Sequence, residues 1–304
     1  MLDETASGVF TIAVTPFRPD GSLDENSLDR MTDFYLEKGA SGLTILGIMG
    51  EAGKLTAVES LTVVRRVAAR ASVPVVVGVS APGFAAMKTL ADDSMDAGAA
   101  GVMVAPPASL RSDDQIAGYY RGVAEMLGPI PFVLQDFPLV TGVRIPPKVI
   151  VRIVEHCPTM VMLKHEDWPG LDKISDLRAA SDAGARRISI LTGNGGQFLP
   201  EEMMRGADGA MTGFAFPEMM ANVIAALNAG DQARARDLFD AYLPLVRYES
   251  QPGLGLAIRK YTLARRGAIA HDTVRTPASP LTAATMAEIE TLIARQEARL
   301  AALG

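Results

Sequence analysis

The chemistry of this chain is read first from Lys164. It ends an uninterrupted apolar run, Met160-Val161-Met162-Leu163, and His165, Glu166 and Asp167 follow at once. Six further lysines stand at 38, 54, 88, 148, 173 and 260, and none closes a run that reads as a buried strand. On an inner strand an ammonium stands where water is scarce, and burial lowers a lysine's pKa by up to about 3–5 units. A fall from near 10.4 to roughly 7 takes about 4–5 kcal/mol of environmental bias. A neutral amine attacks a carbonyl carbon and forms a Schiff base. The alternative for Lys164 is an ion pair with Glu166, Asp167 or another carboxylate, and no chemistry.

Three other stretches carry polar groups that could serve such an amine. Gly47-Ile48-Met49-Gly50-Glu51 follows a second apolar run. Its glycines allow the amides around Ile48, Met49 and Gly50 to turn inward as a small cradle for a carboxylate, although a plain tight turn has the same pattern. Gln135-Asp136-Phe137-Pro138 follows a fifth run. Gln135 can orient a substrate oxygen, whereas Asp136 can move a proton if desolvated, or else caps the proline turn. His165 titrates near neutrality, but strand geometry points it away from the side Lys164 takes. Gly193-Asn194-Gly195-Gly196 offers further amides. Gly53-Lys54 fails as a phosphate loop, because Ile48 replaces its first glycine and Leu55 its hydroxyl residue. The three histidines, at 156, 165 and 271, lack zinc-ligand spacing, so no metal is expected.

The elements that must position these residues follow from periodicity. Short apolar runs occur at residues 9–14, 42–46, 74–79, 101–105, 131–134, 160–163, 188–191 and 209–212. Continuous apolarity marks strands covered on both faces. Amphipathic segments lie between them, such as residues 59–69, and Asp24-Glu25-Asn26-Ser27 opens another helix with an N-cap and an acidic first turn. A joint of the form Gly-Ala-x-Gly recurs at 39–42, 98–101 and 206–209, each time before an apolar run. Its first glycine suits a left-handed helix cap, and its second a tight entry into the next strand. Eight βα units predict a (β/α)8 barrel, the TIM-barrel class, with the active site at the C-terminal ends of its strands. An open doubly wound sheet lacks its phosphate fingerprint here. After Pro217 only helices are predicted, at residues 219–229, 231–248, 253–266 and 283–302. The expected division is a barrel over residues 1–228 and a helical segment over 229–304 packed on it.

Composition bounds the function. At 304 residues, 48% hydrophobic and 21% charged, the chain reads as an ordinary soluble globule. A net charge of -6 and scattered basic pairs exclude a nucleic-acid partner. The single cysteine, Cys157, suits a reducing compartment, and no leader or membrane span is read, so a cytoplasmic location is expected.

Taken together, Gly47-x-x-Gly50-Glu51, the strand ending in Lys164, the Gly-Ala-x-Gly joints and Thr11-x-x-x-Thr15-Pro16-Phe17 resemble the dihydrodipicolinate synthase / N-acetylneuraminate lyase family over nearly the whole chain. The resemblance implies a barrel with a C-terminal helical extension and a lyase of the class I aldolase type. It further implies that Lys164 forms an imine with pyruvate or another 2-oxo acid, with no cofactor beyond that imine. The amides of Ile48 and Met49 would hold the acid's carboxylate, an aldehyde would be the second substrate, and the assembly would be a homotetramer or homodimer. The pattern also departs from the family's. Ile48 and Met49 replace hydroxyl residues, Gln135 the tyrosine of a Tyr-Asn-x-Pro motif, Ala108 a second tyrosine, and Val140 an arginine. With the family's tyrosine relay missing, Asp136, His165 or a bound water is left to move protons. The other functions compatible with this reading are a dehydratase of a 3-deoxy-2-oxo sugar acid and a barrel that binds 2-oxo acids without catalysis.

Overall fold

Each of the eight apolar runs becomes a strand in the computed structural model, which describes residues 1–304. They are β1 (Gly8–Ile12), β2 (Gly42–Ile45), β3 (Val75–Gly78), β4 (Gly101–Val104), β5 (Phe132–Asp136), β6 (Met160–His165), β7 (Ser189–Thr192) and β8 (Gly209–Ala210). All pair in parallel in chain order, and β8 returns to β1 through Gly8↔Gly209 and Val9↔Ala210, closing a barrel with no free edge. The helices that cover it are α1 (Glu25–Glu37), α2 (Ala57–Arg70), α3 (Phe84–Asp96), α4 (Asp113–Leu127), the short α5 (Pro138–Thr141), α6 (Pro147–His156), α7 (Leu171–Asp182), α8 (Leu199–Met204) and α9 (Glu218–Asn228). Then come α10 (Gln232–Glu249), α11 (Gly255–Arg265) and α12 (Ala283–Leu303). No helix is long and apolar enough to cross a membrane.

Local chemistry sets the ends of these elements. Asp24 caps α1 by accepting from Ser27 N at 3.2 Å, and Thr56 with Glu59 closes a capping box on α2. In the three Gly-Ala-x-Gly joints the first glycines, Gly39, Gly98 and Gly206, have φ of +89°, +98° and +96°, the left-handed geometry expected of them. The second glycines serve close approach more than turning. A Cβ at Gly42 would overlap the Phe10 ring, and one at Gly209 would overlap the backbone of Gly8 on the neighbouring strand.

Two apolar compartments result. The larger lies between strands and helices and holds residues such as Tyr120, Phe132, Leu134, Leu163 and Ile190. The smaller fills the barrel, with Phe10, Ile12, Val76, Met103, Val133, Met162, Leu191 and Met211 inside it. Leu2 closes its lower end, its amide bonded to Ala100 O at 2.8 Å.

Strands β5 and β6 run two residues beyond their apolar runs, so Gln135, Asp136, Lys164 and His165 belong to the ladder rather than to the loops after it. Ladder bonds are made by the backbone, and polar side chains at the rim do not end them. Between these strands the register steps: Phe132 faces Met160, but Val133 faces Met162. The extra residue, Val161, is a bulge, and a bulge inverts the alternation of sides beyond it. Met160 packs outside the barrel, Val161 and Met162 both pack inside, and Leu163 packs outside again. Lys164 consequently points into the barrel.

Candidate active site

Lys164 stands in register with Gln135 on β5 and Leu191 on β7, at the C-terminal rim of the interior. It is 5% exposed. Its Nζ lies 2.8 Å from Glu166 Oε2, and Gln135 Nε2 donates to the same oxygen at 2.9 Å. The ion pair that the sequence admitted for Lys164 is therefore present, but inside the barrel mouth, above a floor of Val133, Met162 and Leu191. Glu166 is fixed by its backbone as well, since its amide donates to Asp136 O at 2.9 Å and its carbonyl accepts from Asn194 Nδ2 at 3.1 Å. Gly193 leaves room for it, because a Cβ there would land on Glu166 Cγ.

The Gly47-to-Glu51 stretch forms a single 3-10 turn, Ile48–Gly50, at the end of β2. Its own hydrogen bonds begin at Gly50 N and Glu51 N, which donate to Gly47 O and Ile48 O at 3.0 Å. The amides of Ile48 and Met49 start the turn and stand outside that pattern. Met49 packs on the interior cluster, whereas the Ile48 side chain is 55% exposed. The turn is pinned from behind. Thr15 Oγ1 donates to Gly50 O at 2.6 Å, and Glu51, with φ +54°, buries its carboxylate against Lys260 at 2.5 Å and Lys54 at 2.9 Å. Arg275 N donates to the same carboxylate at 3.0 Å. Lys260 is fully buried, with its ammonium 4.5 Å above the Phe17 ring. Burial pushes its pKa down to about 8 against the opposing pull of Glu51.

Asp136 and His165 face the other way, as strand register requires of residues paired with each other. Asp136 is completely buried on the outer side of the wall, 2.8 Å from Lys173 and 3.6 Å from His165 Nδ1. His165 Nε2 sits 3.0 Å from Gly170 O, and Lys173 also reaches Asp167 at 2.7 Å. The expectation that Asp136 shares the site with Lys164 is thus not matched by its placement, because Gln135 takes the inward position on that strand. Glu202, on α8, lies near His165 and has its pKa pushed up to about 7 by burial, against a hydrogen bond from Thr192.

Sequence reading brought Lys164, Gln135, Ile48, Met49 and Gly50 to the barrel mouth and treated Glu166 only as an ion-pair partner. The signal for more was present, since residues two apart on a strand share a face. The buried Lys173 and Lys260 carry no local signal, because both sit on helices and pair with carboxylates far off in sequence, Asp136 on β5 and Glu51 after β2. None of the six tyrosines enters the interior. Tyr119 and Tyr120 point their hydroxyls at Ala105 O and Val104 O, at 3.5 and 3.3 Å, behind β4. Tyr35 and Tyr242 are buried in the outer compartment, and Tyr248 and Tyr261 bond to Glu288 and Glu290 of α12.

Comparison with known proteins gives a consistent result. A family model described as the dihydrodipicolinate synthetase family matches residues 5–296. A 4-hydroxy-tetrahydrodipicolinate synthase of Sorangium cellulosum is 34% identical over 304 residues, 96% of this chain and 97% of that one. An L-2-keto-3-deoxyarabonate dehydratase of Azospirillum brasilense is 29% identical over 93% of this chain and 92% of its own. The crystal structure of a dihydrodipicolinate synthase from Rhodopseudomonas palustris superposes with a TM-score of 0.95 at 54% identity, covering 97% of this chain and 99% of that one.

Proposed function

The chain belongs to the dihydrodipicolinate synthetase family, and on that footing we propose that Lys164 is the amine that condenses with the substrate. The protein is a Schiff-base-forming lyase acting on pyruvate or another 2-oxo acid, and the imine itself is the electron sink, so the reaction needs no cofactor. The observation that carries the assignment to Lys164 is its position: a buried amine on the inward face of β6, at the C-terminal rim where barrel active sites lie. In this reading the amides of Ile48 and Met49, with Gly50, hold the acid's carboxylate, and Gln135 orients the polar groups around the amine. Asp136, turned to the outer wall, supports the strand through Lys173 instead of touching substrate. In the aldol direction the enamine formed from the imine attacks an aldehyde; in reverse, the protonated imine accepts the electrons of the breaking C–C bond.

A second reading keeps the same enamine and removes water from a 3-deoxy-2-oxo sugar acid. It is favoured by the likeness to the Azospirillum dehydratase and by Val140, 57% exposed, where the resemblance to synthases calls for an arginine. Residues 1–228 form the catalytic barrel in this proposal, and 229–304 the helical segment packed on it, a division supported by the lack of any strand after β8. A homodimer or homotetramer is proposed as the assembly, supported by large apolar side chains left in solvent, among them Val58, Leu139 and Val140. The cytoplasm is the proposed compartment, supported by the buried free thiol of Cys157.

The test is reductive trapping. Borohydride added with pyruvate should leave a covalent adduct on Lys164, found by mass spectrometry of the peptide, and Lys164→Arg should leave none. An unmodified Lys164 at saturating pyruvate would sink the assignment. If pyruvate binds but its methyl protons do not exchange with deuterium oxide, the barrel is a binder and not an enzyme.

A further inference from the structure

The imine reading leaves a question that this chain must answer with its own residues: which group moves the protons. We infer that Glu166 is the general acid and base of the reaction, a catalytic residue that does the work of the absent phenols; this rests on the imine at Lys164. Four observations carry it. Glu166 is the one carboxylate in ion-pair contact with Lys164, Nζ to Oε2 at 2.8 Å. Gln135 and the Lys164 ammonium both hold Oε2, while Oε1 accepts no hydrogen bond from the protein and is free to meet a bound ligand. The carboxylate is 6% exposed and its backbone is tied on both sides, so it is placed before substrate arrives. The other titratable groups nearby, Asp136, His165, Asp167 and Lys173, lie in the outer-wall network.

The steps balance with Glu166 alone. The resting pair is ammonium and carboxylate. As the ketone arrives, the ammonium proton passes to Glu166, and the freed amine adds to C2 to give a carbinolamine. Glu166 returns its proton to the departing hydroxyl, and water leaves a positively charged imine beside a carboxylate. That carboxylate removes a proton from C3, giving the neutral enamine and a protonated Glu166. When the enamine attacks an aldehyde, Glu166 protonates the new alkoxide, and water hydrolyses the imine back to the resting pair. In the dehydratase direction the same protonated Glu166 gives its proton to the leaving hydroxyl. A hydrogen-bonded tyrosine relay is unnecessary in this scheme, because the carboxylate stands 2.8 Å from the nitrogen to which the reacting carbons become attached.

The test separates this role from the imine itself. In Glu166→Gln, whose folding is checked by thermal melt, borohydride and pyruvate should still label Lys164 at the end point of a long incubation, more slowly than in the wild type, because buffer then carries the protons of imine formation. Exchange of pyruvate methyl protons with deuterium oxide, followed by NMR, should fall by about 10²- to 10⁴-fold. Exchange within a few-fold of the wild-type rate, with trapping intact, would reduce Glu166 to an ion-pair partner and overturn the proposal. Absence of trapping in the wild type would instead remove the imine, and this role with it. As a second variant, Glu166→Ala should regain part of its exchange when formate is added. A response to formate no greater than that of the wild type counts against the role.

Discussion

Three lysines are buried in this protein, and burial alone does not choose among them. Lys260 is the most enclosed and has its pKa pushed down to about 8, yet it is packed against Phe17 and bonded to Glu51 and Thr273 O with no space for a ligand. Lys173 lies between two aspartates on the outer wall. Lys164 alone shares the barrel interior, and what distinguishes it is the company of one carboxylate and one amide. The role of Gln135 can be isolated at this scale. Gln135→Met keeps the shape and removes the donor to Glu166, a hydrogen bond to a charged group of the kind worth about 1.5–3 kcal/mol. The methyl-exchange rate should drop about 10- to 100-fold in a variant that still folds, with a melting temperature lowered by no more than a few degrees. An unaltered rate would mean that Gln135 does not orient the carboxylate.

At the scale of elements, the site is an arrangement of strand ends. Strand β6 supplies the amine, β5 the amide, and the turn after β7 the space in which Glu166 lies. That space exists because residue 193 has no side chain. Gly193 has φ -112°, outside the left-handed region, and the atoms an alanine Cβ would meet there all belong to the Glu166 side chain. Gly193→Ala should therefore fold, keep Lys164 open to reductive trapping, and lose methyl-proton exchange at least about 10-fold as the carboxylate is displaced. Exchange at the wild-type rate in that variant would show that Glu166 does not need its present position. On the opposite side of the mouth, the Ile48–Gly50 turn is held by groups more than 200 residues away, since Lys260 of α11, 209 residues on, and the Arg275 amide, 224 residues on, hold Glu51. The C-terminal helices thus reach the proposed carboxylate cradle through one buried carboxyl group.

Over the whole molecule, the two apolar compartments meet at a wall that carries charge on both sides. Inside is the Lys164–Glu166 pair, and outside the Asp136, His165, Lys173 and Asp167 network, with Glu202 behind it. Glu202 gives this wall a pH dependence with a definite sign. Burial raises its pKa from 4.5 to about 7, opposed by Thr192 and His165. A folded pKa above the unfolded one contributes stability that is complete below pH 4.5 and is lost as pH rises through 7. The loss is of order 3 kcal/mol. Glu202→Gln should flatten the dependence of urea-unfolding stability on pH between 4.5 and 7, and should be more stable than the wild type at pH 8. Parallel curves for the two proteins across that window would refute the assignment.

Much of this was legible in the residues. Eight apolar runs, three Gly-Ala-x-Gly joints and one lysine at a strand end are local patterns, and local patterns survive without knowledge of distant partners. They determined the barrel, and they pointed to the rim and to the nitrogen proposed for the site. The side of the wall each rim residue takes was decided only by the tertiary structure. Sidedness on a strand is a matter of parity, and the bulge at Val161 inverts it inside a run so uniformly apolar that no polar residue marks the change. The same step set Lys164 beside Gln135 and Asp136 beside His165, and so fixed which pair of rim residues faces the interior and which the outer wall.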